Sequence, residues 1–392
     1  MHNVGIDLLS FYAPTEYLDL ADLADARGVA PEKYEIGLDQ RLMSVPAADE
    51  DAVTMAAAAA LPLLEQTDPS RIGALLVGTE SAVDHSKATA AFVHRLLGLP
   101  ATCMIYDVRQ ACAAGTIGLR QAAAMVALEP EMTALVIATD IAHYAAHSPG
   151  EPTQGAGACA LLVSANPRVC RVEPTWGVHA EETSDFWRPI SRDTPVVNGK
   201  TSLLKYLECL RGARRHFIAS GGDGKLRSHC FHLPFASMAH KAAKQVARDA
   251  GAGPSYRASL QYGRVIENTY TASLYIALAS LLEQGDVDDG ERIGMYSYGS
   301  GSLGLYFALQ TVQGFRDHLL KRSHTQMLAR RHPLSLASYE ARHARSGNPP
   351  QEVSDSESPF RWVGVDELRR MYEPRAAGIG VASDAAWVSE SG

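Results

Sequence analysis

A cysteine, a glutamate and a histidine with the potential for acyl chemistry each lie at or near the end of an apolar, strand-like stretch. Cys112 ends the stretch CMIYDVRQAC, and a helical pattern begins directly behind it. At a helix start the unpaired N–H groups and the positive end of the helix dipole favour a thiolate, so we expect a lowered pKa for Cys112. A thiolate attacks thioesters, which indicates a nucleophile. The alternative is a packed, inert cysteine, because free cysteine is among the most buried residue types.

Glu80 and His232 are the candidate acid–base residues. Glu80 follows the apolar stretch ALLVGT. A carboxylate removes a proton from carbon only where a dry site raises its pKa, so a catalytic Glu80 should be largely desolvated. The alternative is a solvated glutamate at a helix start. His232, in CFHLPF, is flanked by apolar residues on a predicted strand, where a histidine is more often a satisfied core residue.

The bulk composition is that of an ordinary soluble cytoplasmic protein rather than of a nucleic-acid-binding or membrane protein. The chain has 392 residues and a formal net charge of -8, which argues against nucleic acid or an anionic membrane as partner. Six cysteines without a C-x-x-C pair and fourteen histidines without ligand spacing suggest reduced thiols and no metal site. The N-terminus has no secretory pattern, and no stretch is long and apolar enough to suggest a membrane span, which predicts a cytoplasmic location.

Strand-like and helix-like segments alternate along the chain, which predicts a layered α/β fold. The segments VGIDLLSF, ALLVGTE, ALVIATD and ACALLVS have strand character, and the alanine-rich residues 51–65 have helix character. An irregular region near 172–205, which contains Pro, Trp and charged residues, is predicted to be a surface excursion. The Pro-, Ser- and Glu-rich segment near 344–358 and the last residues of the chain are predicted to be mobile.

Many segments, in consistent order from about residue 5 to 310, together resemble the 3-hydroxy-3-methylglutaryl-CoA synthases. They are GIDLLSFYAPTEYLDLADLADAR, KYEIGLDQRLMSV, EDAVTMAAAAA, GTESAVD, RQAC, IATDIAHY, GEPTQGAGA, DFWRP, CFHLPF, NTYTASLY and SYGSGS. The resemblance implies a thiolase-like fold, with two similar halves (1–168 and 169–392) in a five-layer α/β/α/β/α arrangement. It also implies a homodimer and an active site at the base of a pantetheine tunnel.

The same resemblance assigns roles to individual residues. Cys112 would carry the acetyl group and Glu80 would be the general acid/base, while His232 would assist thiolate formation and bind the acceptor's oxygen. Asn268 would be an amide donor, and Ser300 would lie in a turn that offers a backbone N–H beside the nucleophile. Further positions near the acyl-cysteine would be Asp140, Tyr144 and Asp185.

The implied reaction is a condensation of two thioesters. An acetyl thioester acylates Cys112, Glu80 removes a methyl proton so that the enolate attacks the β-keto carbon of an acetoacetyl thioester, and water releases the product. The reaction requires no metal or redox cofactor. The expected partners are acyl thioesters, carried on CoA or on an acyl carrier protein.

Departures from the family pattern cluster on the acceptor side. Ala113 stands where tyrosine is usual, Ser237 where a lysine is usual, and Glu267 and Asp39 where glycine is usual. Three readings follow: a mevalonate-type synthase, a secondary-metabolism homologue that uses a carrier-protein-bound β-ketoacyl chain or another acceptor, and a non-catalytic scaffold. Retention of Glu80, Cys112 and His232 counts against the scaffold. Ala113, Ser237 and Glu267 favour a diverged acceptor.

Overall fold

The computed structural model describes residues 3–250, 253–345, 354 and 356–376. The strands are β1 Val4–Tyr12, β2 Glu16–Asp19, β3 Leu42–Val45, β4 Ile72–Gly78, β5 Met104–Val108, β6 Thr133–Ile141, β7 Ala156–Ala165, β8 Cys170–Ala180, β9 Phe186–Trp187, β10 Val196–Val197, β11 Ser228–Phe231, β12 Arg292–Gly299, β13 Leu303–Thr311, β14 His332–Pro333, β15 Phe360–Asp366 and β16 Arg369–Pro374. The α-helices are α1 Leu20–Ala26, α2 Glu32–Glu35, α3 Ala52–Leu64, α4 Thr89–Leu96, α5 Ala114–Leu128, α6 Gly199–Ala219, α7 Ser237–Ala250, α8 Gly263–Ile266, α9 Ser273–Gln284, α10 Lys321–Ala329 and α11 Leu336–Ala344.

Two groups of strands, one from each half of the chain, meet edge to edge in a mixed sheet. The order is β11-β12-β13-β8-β1-β7-β6-β4-β5. Strands β1 and β8 join the groups through only two residue pairs, which involve Gly5 and Ile6. Gly5 allows this approach, because a Cβ there would lie 2.0 Å from the Cys170 carbonyl oxygen.

Helices cover both groups of strands and also lie between them. Helices α3 and α4 pack on the outer face of the first group, and α6 packs on β8 and β13 of the second. Helices α5 and α9 form the central layer, where the Tyr275 hydroxyl donates to Thr116 Oγ1 at 2.9 Å. Strands covered on both faces are largely apolar, and every residue of β1 is buried, including the polar Asp7 and Ser10. The five-layer α/β/α/β/α arrangement is confirmed.

The predicted excursion near 172–205 is wrong at both ends. Strand β8 continues to Ala180, and α6 already begins at Gly199, capped by the Asn198 side chain. The sequence does not indicate this strand, because polar and exposed residues interrupt its apolar pattern. In the structure it pairs with β13 along its length. Residues 181–198 alone form the excursion and contain the short β9–β10 pair.

The segments predicted to be mobile are largely not described by the structure. Most of the segment near 344–358, and the chain after residue 376, lie outside the described residues.

Ala111–Leu128 is long and apolar enough to span a bilayer by composition alone. It contains α5, which packs in the central layer between strands and α9, so it is a core helix of this fold.

Candidate active site

Cys112 and Glu80 lie in direct contact at the centre of the molecule. The Cys112 thiol donates a hydrogen bond to Glu80 Oε1 at 3.0 Å. Cys112 is two residues ahead of α5, as the sequence predicts, and follows Ala111, whose φ of 42° lies in the left-handed region. Such backbone conformations are rare for residues other than glycine and concentrate at functional sites. The nucleophile therefore sits on a sharp turn, paired with a carboxylate.

The electrostatics of Cys112 differ from the sequence-based expectation. Burial, followed by the adjacent Glu80 carboxylate and by Asp140, raises the pKa of the Cys112 thiol well above its usual value. The prediction of a lowered pKa is therefore wrong for the free enzyme, because a buried thiol beside two carboxyl groups is harder to ionise. In the resting pair the thiol keeps its proton and donates it in a hydrogen bond to Glu80.

Glu80 has the electrostatic character of a base in a dry site. It lies two residues after the end of β4 and is half-buried. Burial and the nearby Asp140 raise the pKa of Glu80 to about 8, while the Cys112 hydrogen bond and the Arg188 charge oppose the rise. A carboxylate of this basicity can take a proton from a carbon acid near neutral pH.

Asp140 organises the backbone around this pair. Its fully buried carboxylate accepts hydrogen bonds from the Thr79 hydroxyl at 2.9 Å, the Glu80 N–H at 2.8 Å and the Thr271 N–H at 3.1 Å. These bonds lower the pKa of Asp140, but burial outweighs them and raises it to about 6. Asp140 therefore fixes the position of Glu80 rather than contacting Cys112.

An aromatic wall encloses the nucleophile. Cys112 packs in one apolar cluster with Ala142, Tyr144 and Tyr270, and Phe186 packs against it. The rings of Tyr144 and Tyr270 meet edge to face, with centroids 6.4 Å apart. These rings exclude water from the thiol and leave an apolar surface for a small acyl group.

Asp185 and Ser300 belong to the turn beside the nucleophile. Asp185 is fully buried and accepts from the Tyr298 hydroxyl at 2.6 Å and the Gly301 N–H at 3.0 Å, so it braces the turn that contains Ser300. A Cβ at Gly299 would lie 2.3 Å from the Gln110 carbonyl oxygen and 2.9 Å from the Ala113 Cβ. The turn is therefore packed directly against the Cys112 loop, and Ala113 forms part of that contact.

His232 is a buried neutral imidazole. It follows β11, and its backbone N–H donates to the Tyr296 carbonyl oxygen at 2.8 Å. Burial lowers the pKa of His232 to about 3, and Nδ1 has no hydrogen-bond partner among the described residues. A buried nitrogen without a partner is a free hydrogen-bonding group, and among the described residues Nδ1 of His229 on the same strand is another. The neutral ring of His232 is therefore suited to form a hydrogen bond with a substrate oxygen.

Asn268 is oriented by its own loop. Its Oδ1 accepts from the Tyr270 N–H at 2.9 Å and the Ser273 hydroxyl at 3.1 Å. Because both bonds hold the oxygen, the Nδ2 group is the end of the amide that can donate. This is the geometry that an oxyanion donor requires.

The acceptor-side departures meet at residues 37–41. The Ser237 hydroxyl donates to the Gly37 carbonyl at 2.9 Å, and Asp39 forms an ion pair with Arg264 at 2.6 Å. Glu267 is 4% exposed, and both carboxylate oxygens are enclosed. Glu267 therefore presents no exposed charge that would repel the phosphates of CoA.

One cluster outside this site has metal-ligand residue types. His179, Glu181 and Glu208, on β8, after it and on α6, offer ligand atoms within 4.8 Å of one another. The Lys205 ammonium pairs with both glutamates. Since a cation of the chain already neutralises the carboxylates, the cluster is an ion-pair network.

Sequence reasoning missed two residues of the site. Arg188, in DFWRP, reaches from the excursion and donates to the Glu80 carbonyl oxygen. Thr271, in NTYTASLY, accepts from the Gly115 N–H at 2.7 Å and so occupies a free donor in the first turn of α5. Both lie in segments that carry the family resemblance, which was the available signal.

Replacing Arg188 with alanine should move the pH dependence of condensation to higher pH. The guanidinium charge lowers the pKa of Glu80, so its removal makes the carboxylate harder to form. A pH profile of kcat/KM for the acceptor, compared with that of Arg192→Ala on the same excursion, measures the shift. An unchanged profile would exclude an electrostatic role for Arg188.

Comparison with known proteins agrees with this geometry. The family model of the hydroxymethylglutaryl-coenzyme A synthase N terminal domain matches residues 1–168, and the C terminal model matches residues 237–345. A hydroxymethylglutaryl-CoA synthase from Enterococcus faecalis is 38% identical over 88% of this chain and 92% of its own. The polyketide biosynthesis 3-hydroxy-3-methylglutaryl-ACP synthase PksG from Bacillus subtilis is 30% identical over 88% of this chain and 89% of its own.

A solved structure extends the likeness to three dimensions. MvaS in complex with 3-hydroxy-3-methylglutaryl coenzyme A superposes with a TM-score of 0.90 at 38% identity, covering 95% of this chain and 99% of that one. The fold is thiolase-like, and the thiol–carboxylate pair lies at its centre. The chain belongs to the hydroxymethylglutaryl-CoA synthase family of acyl-transferring, condensing enzymes.

Proposed function

We propose that this chain condenses an acetyl group held on Cys112 with a β-ketoacyl thioester of the acetoacetyl type. The observation that carries the proposal is the 3.0 Å contact between the Cys112 thiol and Glu80, whose pKa is raised to about 8. The pair supplies a nucleophile and a base of suitable strength in one dry site. The reaction has no redox step, and we propose that it uses no cofactor or metal.

Acylation is the first step. The Cys112 sulfur attacks the donor's thioester carbon, a new C–S bond forms, the donor C–S bond breaks, and the departing thiol takes the proton. Glu80 accepts the hydrogen bond of the Cys112 thiol and so orients the sulfur for this attack. Once the sulfur is acylated, Glu80 loses this proton donor and faces the acetyl group.

Condensation and hydrolysis follow. Glu80 removes a proton from the acetyl methyl, and the resulting enolate carbon bonds to the β-keto carbon of the acceptor while the keto oxygen becomes an alkoxide. His232 and the Asn268 amide are the donors proposed for the developing oxyanions. Glu80 returns the proton it took from the methyl group to the alkoxide. Water then attacks the carbonyl carbon of the Cys112 thioester, the C–S bond breaks, and one proton of the water restores the Cys112 thiol as the product acid leaves.

A second candidate acceptor is a β-ketoacyl chain on an acyl carrier protein, as in a β-branching step of secondary metabolism. The absence of a lysine at Ser237 favours it, because a lysine there would offer a cation to CoA or to the acceptor. The relative PksG is a 3-hydroxy-3-methylglutaryl-ACP synthase, so its product is carried on an acyl carrier protein. The dimeric state and the cytoplasmic location are part of the same proposal.

The decisive measurement is acetyl transfer to the protein. After incubation with acetyl-CoA or with an acetyl carrier protein, peptide mass spectrometry should find acetyl on Cys112, and a Cys112→Ala variant should remain unmodified. The other cysteines are internal controls, because Cys159, Cys170 and Cys230 are fully buried. If neither donor labels Cys112, the proposed function is wrong. If acetyl appears on Cys112, the donor that labels it faster shows whether the enzyme takes acetyl from CoA or from a carrier protein.

A further inference from the structure

Glu267 has a backbone conformation that a glutamate rarely adopts. Its φ is 74° and its ψ is -166°, a combination that essentially only glycine tolerates. Strain of this kind persists only where the surrounding structure holds the residue in place, and it concentrates at functional sites. The position next to Asn268 therefore calls for an explanation beyond packing.

The Glu267 side chain is enclosed together with that of Gln40. The two residues are 4% and 2% exposed. The Gln40 amide and the Asn268 N–H lie beside the Glu267 carboxyl and stabilise its charge. Neither carboxyl oxygen, nor Gln40 Oε1, has a partner of hydrogen-bonding geometry among the described residues. Buried polar groups are almost always hydrogen-bonded, so this pair is unusual.

A proton on the Glu267 carboxyl would allow the Glu267 and Gln40 side chains to form a hydrogen bond. Burial raises the pKa of Glu267 well above its usual value, which favours the protonated carboxyl. A protonated carboxyl has one O–H donor and one carbonyl acceptor, and the Gln40 amide beside it also offers a donor and an acceptor, so the two uncharged side chains can pair. In this form the contact is uncharged, so Glu267 fills space and can donate one hydrogen bond.

The pair lies where the acceptor-side elements meet. Glu267 directly precedes Asn268, and the backbone at this point packs tightly on Gly155, where a Cβ would lie 2.7 Å from the Asn268 carbonyl oxygen. Gln40 belongs to segment 37–41, which accepts two hydrogen bonds from Ser237 at the start of α7. Helix α7 begins five residues after His232 in sequence. Glu267 thus connects the Asn268 loop to the segment that supports α7.

We propose that Glu267 is a positioning residue for the acceptor thioester, which through its contact with Gln40 holds the Asn268 amide in place relative to segment 37–41. Because this role concerns the acceptor, it rests on the proposed function. It does not involve acylation, since the contacts of Cys112 with Glu80, Tyr144 and Tyr270 are made by other side chains.

The test compares Glu267→Gly and Glu267→Gln with the wild-type protein. Glycine suits the backbone and removes the side chain, so the variant should be no less stable to heat than wild type, while its acceptor KM rises about tenfold, the equivalent of about 1.4 kcal/mol. Glutamine keeps the shape and a donor, so it should retain the wild-type KM. Glu367→Gly is the matched control, since Glu367 is an exposed glutamate with a φ of 44° on the β15–β16 turn.

Acetyl transfer to Cys112 and condensation with an acetoacetyl thioester are measured separately on each variant. Unchanged acetylation with a raised acceptor KM in Glu267→Gly alone supports the proposal, as does a Gln40→Ala variant whose effect is not additive with it. An unchanged KM in Glu267→Gly would overturn it, and so would a Glu267→Gln variant as impaired as the glycine one. Absence of acetylation in the wild-type protein would instead refute the proposed function.

Discussion

Glu80→Ala is expected to accept an acetyl group on Cys112 and then to condense it about 10²- to 10⁴-fold more slowly than wild type, the range typical of a general base. The carboxylate contributes to the raised pKa of Cys112, so its removal makes the thiolate easier to form rather than harder. Removal of the methyl proton, in contrast, loses its base. Intact-protein mass spectrometry reports the acetyl-enzyme, and chromatography of the product thioester reports condensation.

Two variants make this result specific. Glu80→Gln keeps the shape but cannot accept the proton, so it should fail like alanine and lose the rise of kcat/KM with pH that ionisation near pH 8 gives the wild-type enzyme. Glu65→Ala removes an exposed glutamate at the end of α3 and should leave both steps unchanged. Wild-type condensation by Glu80→Ala would remove Glu80 from the mechanism.

His232→Ala should lower condensation about 10²- to 10³-fold, the loss expected when one oxyanion donor is removed. Because burial lowers the pKa of His232 to about 3, the ring is neutral across the working range. The wild-type pH profile should therefore show no step from His232 above about pH 4, and the loss should be the same at pH 6 and pH 8. Steady-state rates at these two pH values, with acetyl transfer measured in parallel, check both statements.

The control for His232 lies on the same strand. His229 is equally buried, but its Nε2 is hydrogen-bonded to the Tyr306 hydroxyl at 2.7 Å. His229→Asn should lower the melting temperature while leaving the acetylation rate of the folded protein intact. Equal losses of activity in the two variants at equal stability would indicate that His232 is structural.

The sequence predicts the residues at the centre of the active site because their positions depend on local sequence patterns. Cys112 and Glu80 both follow apolar strands, and the structure brings them together although they are 32 residues apart. The direction of the Cys112 pKa shift is predicted wrongly because this prediction also uses only local sequence. The helix start is a local feature, whereas the burial and the carboxylates that dominate the thiol come from β4 and β6.

The acceptor side was harder to predict, because its contacts join distant segments. Nothing local in the sequence indicates that Glu267 packs against Gln40 or that Ser237 binds the 37–41 segment. Strand β8 could not be predicted because exposed and polar residues interrupt its apolar pattern, and its strand conformation is established by pairing with β13. A layered α/β fold could be predicted from the alternation of strand-like and helix-like segments, whereas the five-layer arrangement was implied by the family resemblance.

Asp140 also constrains how this protein can be recombined with its relatives. It lies before residue 168, and one of its three hydrogen bonds comes from Thr271, far along the other half. Thr271 in turn accepts from Gly115 of the first half, so the halves are joined by reciprocal bonds at the nucleophile. A chimera that crosses over between the halves should preserve catalysis only where the donor sequence brings a residue able to complete both bonds. Exchange of whole halves is thereby constrained at these two hydrogen bonds as well as by the interface around them.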